Sequence, residues 1–330
     1  MKKTGRNPEA IAGFIRDAQT IAVVSHVNPD GDTLGSAAAM RLILTSMGKD
    51  VTLFCDGKIP DQMSFLPGAN LFRKPSGDEG FYDLLLAVDV SDISRLGACE
   101  ALIAKCRHTA QIDHHPTNPL FMEINSVDGE APANCVLIRE QMKVLGVPLT
   151  KEIAICLYTG ISTDTGNFAF ASTNTEAFLI MGELMNHGLP LADLNRILFR
   201  VKPREQIMLI GKALESLQFR GNGKIAVMKL TRADFSACNA LSEHADTVVN
   251  YGLDTVGTQM ALLAREDADG QIKFSLRAKE PCRVDEVAKQ FGGGGHPQAS
   301  GITMRGTLEE TAERVILAME KRVSADEWLF

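Results

Sequence analysis

Residues 21–48 read IAVVSHVNPDGDTLGSAAAMRLILTSMG, and this stretch decides how the first half of the chain folds. Residues 21–27 (IAVVSHV) are a β-branched apolar run, which predicts a strand. An Asn-Pro-Asp-Gly turn signal follows. Residues 34–47 then have helical composition and stop at Gly48, a residue that commonly ends helices. The unit is strand, loop, helix. Working outward, further apolar runs occupy 51–55, 83–89 (DLLLAVD) and 109–113, separated by helical or turn-like stretches. The pattern predicts an α/β fold, a parallel sheet covered by helices. Polar residues gather where these strands end, and open α/β sheets bind ligands at the carboxyl ends of their strands.

Residues 131–187 are mainly helical in pattern, with one expected interruption at 160–170 (GISTDTGNFAF). Residues 190–204, which include Arg200, Lys202, Pro203 and Arg204, read as a connector. Beyond it the pattern predicts strands at 224–230, 258–264 and 273–277, a helix at 284–291, a glycine run at 292–295 and a final amphipathic helix at 308–323. The expected organisation is a domain over 1–188, a linker over 189–206 and a smaller α/β domain over 207–330. A chain of 330 residues suits two domains of roughly 100–200 residues each.

Composition narrows the function. With 45% hydrophobic and 23% charged residues, the chain is an ordinary globular sequence. The seven cysteines are odd in number and contain no Cys-x-x-Cys pair, which argues against a disulfide framework and against a cysteine-rich zinc site. No apolar run approaches the roughly 20 residues needed to cross a bilayer, and the start MKKTGRNPEAIAGFIRDAQT lacks a signal peptide's apolar core. A cytoplasmic protein with no membrane partner is expected. The formal charge of −7 disfavours a broad basic surface for long nucleic acid, so any polyanion should be held locally.

Four groups of residues carry the chemistry. The first loop, SHVNPDGDTLGS, places His26, Asp30 and Asp32 close together, an imidazole and carboxylates that can share a metal ion; the competing reading is a polar turn. Asp89 ends an apolar strand, where an uncompensated carboxylate would be costly to bury; it could instead cap the next helix. Asp113, His114 and His115 follow the next apolar run in QIDHHPTN, and His-His beside Asp favours metal ligation over a satisfied turn. Asp164 interrupts an apolar helical stretch, again with a helix cap as the alternative. Together, Asp30, Asp32, Asp89 and Asp164 can offset the charge of two divalent ions, while His26 and His114 add neutral nitrogen ligands.

On these residues the chain resembles the DHH phosphoesterases, named for the triplet that stands here as Asp113-His114-His115. The first loop, Asp89 and the 160–170 segment match the family's other motifs in order, and FGGGGHPQASG (291–301) resembles the signature of the DHH-associated domain. The resemblance implies that His26, Asp30 and Asp89 hold one ion and that Asp32, Asp89, His114 and Asp164 hold the other, with Asp89 bridging. Mn²⁺ is the expected metal, with Mg²⁺ as the alternative. Asp113 and His115 become the candidate catalytic pair. In the second domain the resemblance implies that Arg277 and His296 meet the substrate's phosphate or base while the backbone of Gly293, Gly294 and Gly295 approaches closely. Two departures, Ala278 after the arginine and Ser300 before the last glycine, bear on substrate preference. Length and architecture resemble the family's compact two-domain oligoribonucleases and phosphatases. The implied substrates are short RNA oligonucleotides and 3′-phosphoadenosine 5′-phosphate (pAp), and a homodimer is compatible. A polyphosphatase, a dinucleotide phosphodiesterase and a non-catalytic nucleotide-binding regulator are the alternatives.

Overall fold

The computed structural model describes residues 5–267 and 270–323. The chain divides into two compact units at Val201/Lys202, inside the expected linker. Residues 1–4, the first part of the charged amino-terminal stretch, and the end of the chain from 324 lie outside the described residues.

In the first unit α1 (Pro8–Asp17) leads into β1 (Thr20–Val24), α2 (Gly31–Ser46), β2 (Asp50–Phe54), β3 (Tyr82–Val88), β4 (Cys106–Asp113) and β5 (Ile124–Val127). Three helices follow, α3 (Asn134–Val144), α4 (Lys151–Asp164) and α5 (Thr175–Met185). The sheet is parallel throughout, in the order β2-β1-β3-β4-β5. Both faces are covered, which explains the unbroken apolar runs: Ile21 and Val23 face α2 and the helices around it, while Ala22 and Val24 face Leu96, Cys99 and Leu102 on the other side. The order reverses at β1 and β3, and in such sheets the crevice beyond the carboxyl ends at that reversal is where ligands bind.

The expected break at Gly160 does not occur, because α4 runs through it to Asp164. The glycine is there for packing. A Cβ on Gly160 would meet Cys135 Sγ at 2.3 Å and Asp32 Oδ1 at 2.4 Å, and one on Gly35 would meet the Cys156 carbonyl at 2.5 Å. Helices α2 and α4 thus approach through glycines, and the chain reverses only afterwards, through left-handed Gly166, Asn167 and Phe168. The expected connector is also more structured than its composition suggested. Residues Leu191–Asn195 form α6 and Arg196–Arg200 a π-helical turn, and Leu194 and Leu198 are buried in the first unit's core.

An ion network ties residue 6 to this unit. The Arg6 guanidinium lies 2.7 Å from Asp128, 2.7 Å from Glu176 and 3.4 Å from Glu140. The Glu176 hydrogen bond raises the Arg6 pKa, although burial works against it. Because these groups are partly solvated, Arg6→Ala should lower unfolding free energy by about 1 kcal/mol, measurable by urea titration, with less effect at high salt.

The second unit contains α7 (Arg204–Glu215), β6 (Gln218–Arg220), β7 (Ile225–Leu230), α8 (Arg232–Ala237), α9 (Val249–Leu253), β8 (Met260–Glu266), β9 (Gln271–Ala278), α10 (Asp285–Gln290), β10 (Gly294–His296), β11 (Ala299–Arg305) and α11 (Leu308–Glu320). Its sheet runs β10-β11-β9-β8-β7-β6, antiparallel except for β7 and β8. Along β9 the side chains alternate: Ile272, Phe274, Leu276 and Ala278 are buried with α10 and α11, while Lys273, Ser275 and Arg277 point to the other, half-open face. Among the described residues no helix is long and apolar enough to cross a membrane, and the seven cysteines are free.

Candidate metal centre

The expected metal-binding residues converge at the carboxyl ends of β1, β3 and β4, with contributions from the start of α2 and the end of α4. Their ligand atoms fall into three groups that could hold a metal ion, each within 4.8 Å: His26, Asp30 and Asp89; Asp32, His114 and Asp164; and Asp89, His114 and His115.

Local structure shows which of these carboxylates cap a helix. Asp30 does: its Oδ1 accepts from the backbone of Asp32 and Thr33 at 3.0 and 3.1 Å, capping α2, while its Oδ2 lies 3.6 Å from His26 Nε2. Asp89 caps nothing. The helical turn after β3 is capped by Asp92, whose carboxylate accepts from the Ser94 backbone at 2.9 Å. Asp89 is instead held left-handed at φ 58°, its backbone N donating to the Ile112 carbonyl at 2.9 Å. Asp164 is the last residue of α4, the end where a carboxylate gains nothing from the helix dipole, and its Oδ2 lies 3.3 Å from His114 Nε2.

The histidines are oriented from behind. His114 Nδ1 lies 3.1 Å from the Ala131 carbonyl, which turns Nε2 towards Asp89 Oδ1 at 3.4 Å and Asp32 Oδ2 at 3.8 Å. His26 Nδ1 lies 2.7 Å from the Val27 carbonyl, turning Nε2 towards Asp89 Oδ2 at 3.6 Å. The two oxygens of Asp89 therefore face two different histidines. Its Oδ1 is buried without a hydrogen-bond partner, a costly state for a carboxylate oxygen that a cation would relieve.

Asp113 and His115 form a separate pair. Asp113 is fully buried, and its Oδ1 lies 2.8 Å from His115 Nδ1. That hydrogen bond raises the His115 pKa despite partial burial. Asn118 Nδ2 donates to Asp113 Oδ2 at 2.6 Å and to the Val90 carbonyl at 3.0 Å, while Gln111 Nε2 donates to Asn118 Oδ1 at 3.0 Å.

The side chains compete for too little positive charge. Burial pushes Asp32 well above the usual carboxylate range and is reinforced by Asp89 and Asp164, even though the backbone N–H groups of Asn134 and Cys135 at the start of α3 donate to it. Burial likewise lifts Asp164 to about 6, with His114 opposing the rise. Burial disfavours charge on His26 and His114, but the carboxylates outweigh it and raise both to about 10. Such a donor set, four carboxylates with two imidazoles, fits divalent cations.

In the second unit the cross-strand register pairs His296 with Ala299 and Ala299 with Arg277, placing His296 and Arg277 on one face of the sheet. Arg277 is half-buried, and burial lowers its pKa. The glycine run divides in function. A Cβ on Gly293 would meet the Gly301 carbonyl at 2.2 Å, and one on Gly295, at φ 142°, would meet the Ala299 carbonyl at 2.5 Å, so both are required by the β10–β11 hairpin. Gly294 has open space beside it and is exposed. Sequence reasoning missed Asn118 and Gln111, which hold Asp113, and the Asn134 backbone N–H that donates to Asp32. Asn118 was visible in DHHPTN, but nothing in the motif says that it grips Asp113.

Comparison with known proteins places the chain in a family. The chain matches the DHH family, N-terminal domain, over residues 20–161 and the DHHA1 domain over residues 222–325. It is 31% identical to the bifunctional oligoribonuclease and PAP phosphatase NrnA of Thermus thermophilus, over 92% of this chain and 90% of that protein. With the protein of the same name from Bacillus subtilis it shares 26% identity over 91% and 94%. Among solved structures, an exopolyphosphatase-related protein from Bacteroides fragilis aligns with a TM-score of 0.86 at 26% identity, covering 95% of each chain. Exonuclease RecJ bound to manganese, at 15% identity and a TM-score of 0.55, shares the fold. Fold, site and relatives define a metal-dependent hydrolase. The chain belongs to the DHH family, with a DHHA1 domain in its second unit.

Proposed function

We propose that the chain hydrolyses short RNA oligonucleotides to mononucleotides and removes the 3′-phosphate of pAp, using two divalent ions, with Mn²⁺ the expected metal. The observation that carries this reading is the presentation of Asp89's two oxygens to two separate imidazole-carboxylate groups. The names of the relatives that match nearly the whole chain supply the substrates.

His26, Asp30 and Asp89 would hold one ion and Asp32, Asp89, His114 and Asp164 the other. Bound divalent ions supply neutralisation of phosphate charge and acidification of water. Asp113 accepts the Nδ1 proton of His115 and raises its pKa, so the imidazolium carries a second proton at Nε2, which it would deliver to the leaving oxygen as the phosphorus–oxygen bond breaks. Asn118 keeps Asp113 from turning away. Arg277 and His296 recognise the substrate's phosphate or base, and the open Gly294 admits close approach of backbone to ligand.

The test is a substrate panel with Mn²⁺-supplemented protein: pAp, RNA dimers to pentamers, a long RNA, a cyclic dinucleotide and polyphosphate. Release from pAp and from short RNA is expected to dominate. Dominant polyphosphate hydrolysis would replace this reading by the polyphosphatase one, for which the resemblance to the exopolyphosphatase-related protein is the supporting observation. Arg277→Ala and His296→Ala should leave bound metal unchanged and lower kcat/KM for pAp by roughly ten- to several-hundred-fold. Bis-p-nitrophenyl phosphate, which has no base, should be affected much less. Equal losses on both substrates would move these residues out of the recognition role.

A further inference from the structure

Half of the second unit's sheet is left open. On the face that carries Arg277, Met228 of β7 and Ala261 and Leu263 of β8 pack in one core with Leu209 and Ile210 of α7 and with Val248 and Val249. No residue of β9, β10 or β11 belongs to that core, so the cover stops at β8. The register carries the same face across the uncovered strands, because directly paired residues point the same way. Ser275 pairs with Leu263 on one side and Gly301 on the other, and Lys273 pairs with Thr303. Arg305 pairs with Gln271, six residues from Arg277 and so about 20 Å along the strand.

This strip differs from the rest of the molecule in charge. The chain carries −7, yet β9, β10 and β11 contain no Asp or Glu and present Lys273, Arg277 and Arg305 on the open face. Lys273 is paired with Asp267 at 2.5 Å, whereas among the described residues Arg277 and Arg305 have no carboxylate partner. Gly301, Thr303 and Arg305 are exposed. The middle of the strip is flat, since a Cβ on Gly301 would meet only the Phe274 carbonyl, at 3.7 Å. Phe274 itself faces the opposite core, so β9 and β11 place no Phe, Tyr or Trp on this face and offer bases no such ring to stack on. What the strip does offer is cations at both ends and the Ser275 and Thr303 hydroxyls between them. That set matches a run of phosphates joined by sugars.

We propose that the strip from Arg277 to Arg305 binds the sugar-phosphate backbone of the RNA nucleotides beyond the one held at Arg277 and His296, without reading their bases. The proposal rests on the short-RNA reading of the chain. It also sets a length ceiling, because β11 ends at Arg305 and phosphates past that point meet no further cation of the strip.

Arg305→Ala and Arg305→Glu, both at an exposed position, should be compared with the wild-type chain as Mn²⁺-loaded protein. Calorimetry with phosphorothioate RNA, which resists hydrolysis, reads affinity from dimer to pentamer and for a long RNA; kcat/KM is measured on pAp and on the natural dimers to pentamers. Wild-type affinity should rise from dimer to pentamer and then level off. Losses in the variants should grow with length, from at most about twofold on pAp to roughly tenfold on the pentamer for alanine and more for glutamate. The slope of log Kd against log salt for the pentamer should fall by about one. Pentamers of A, C and U should respond alike. Unchanged pentamer affinity in both variants would overturn the proposal. So would equal losses on pAp and pentamer, which would place Arg305 with Arg277 at the substrate's end. Polyphosphate that binds the wild type as tightly as the pentamer, and weakens equally in the variants, would give the strip to a different anion and overturn it too. A wild-type protein that hydrolyses nothing in the panel, while the length-dependent binding and its loss in the variants hold, would overturn the enzymatic reading and leave the strip in place.

Discussion

Asp89→Asn is expected to abolish turnover and to lower bound metal in the same protein. Asp89 is buried, its Oδ2 faces His26 and its Oδ1 faces His114, so one substitution removes charge and a donor oxygen from both sides of the centre. Metal-ion stabilisation contributes several kcal/mol, so the rate should drop roughly a thousand-fold or more. Asparagine is the informative choice. Position 89 is left-handed at φ 58°, a conformation that asparagine tolerates and alanine does not, so the backbone should survive the change. Elemental analysis and Mn²⁺-dependent hydrolysis check this together. Near-normal activity, or full metal content with activity gone, would show that Asp89 is not the shared ligand.

Asp113→Asn should separate proton transfer from metal binding. The asparagine keeps the shape but cannot fix the His115 tautomer as a carboxylate does, and the Asn118 amide that now donates at 2.6 Å would face another amide. Removing a positioned acid–base group costs about 10²–10⁴-fold in rate. Metal content should hold near the wild-type value, since His26, Asp30, Asp32, Asp89, His114 and Asp164 are untouched. The pH–rate profile should also lose the limb that belongs to His115, whose pKa Asp113 raises. Retained activity would remove the pair from the reaction.

The first half of the fold was legible because its strands are buried on both faces and read as unbroken apolar runs, with Asp89 and the Asp113 triplet standing out where those runs end. A polar side chain in an apolar context carries information that a polar side chain in a loop does not. Gly160 misled for a related reason. Read locally, a glycine breaks a helix, but here it lets α4 meet Cys135 and Asp32, and only the packed partner reveals that. The connector's helix was hidden similarly, since Leu194 and Leu198 become informative only once the core that receives them exists. The glycine run looked like a ligand loop throughout. Two of its members answer to the β10–β11 hairpin, whose short strand has no apolar alternation to announce it. Residues that act on other residues, such as Asn118 on Asp113 and the α3 backbone on Asp32, leave no pattern in the sequence, because their partners come from the fold.

The most direct test of the central claim is the rate of Mn²⁺-dependent hydrolysis measured side by side on pAp, an RNA dinucleotide and a long unstructured RNA. The −7 charge and a centre with few cationic groups give distant phosphates nothing to bind, whereas a long basic groove gains affinity with each one. The account expects pAp and the dinucleotide to be cleaved, the long RNA much more slowly, and all activity to vanish with a chelator. No Mn²⁺-dependent release from pAp or the dinucleotide, or degradation of the long RNA at the dinucleotide's rate, would contradict it.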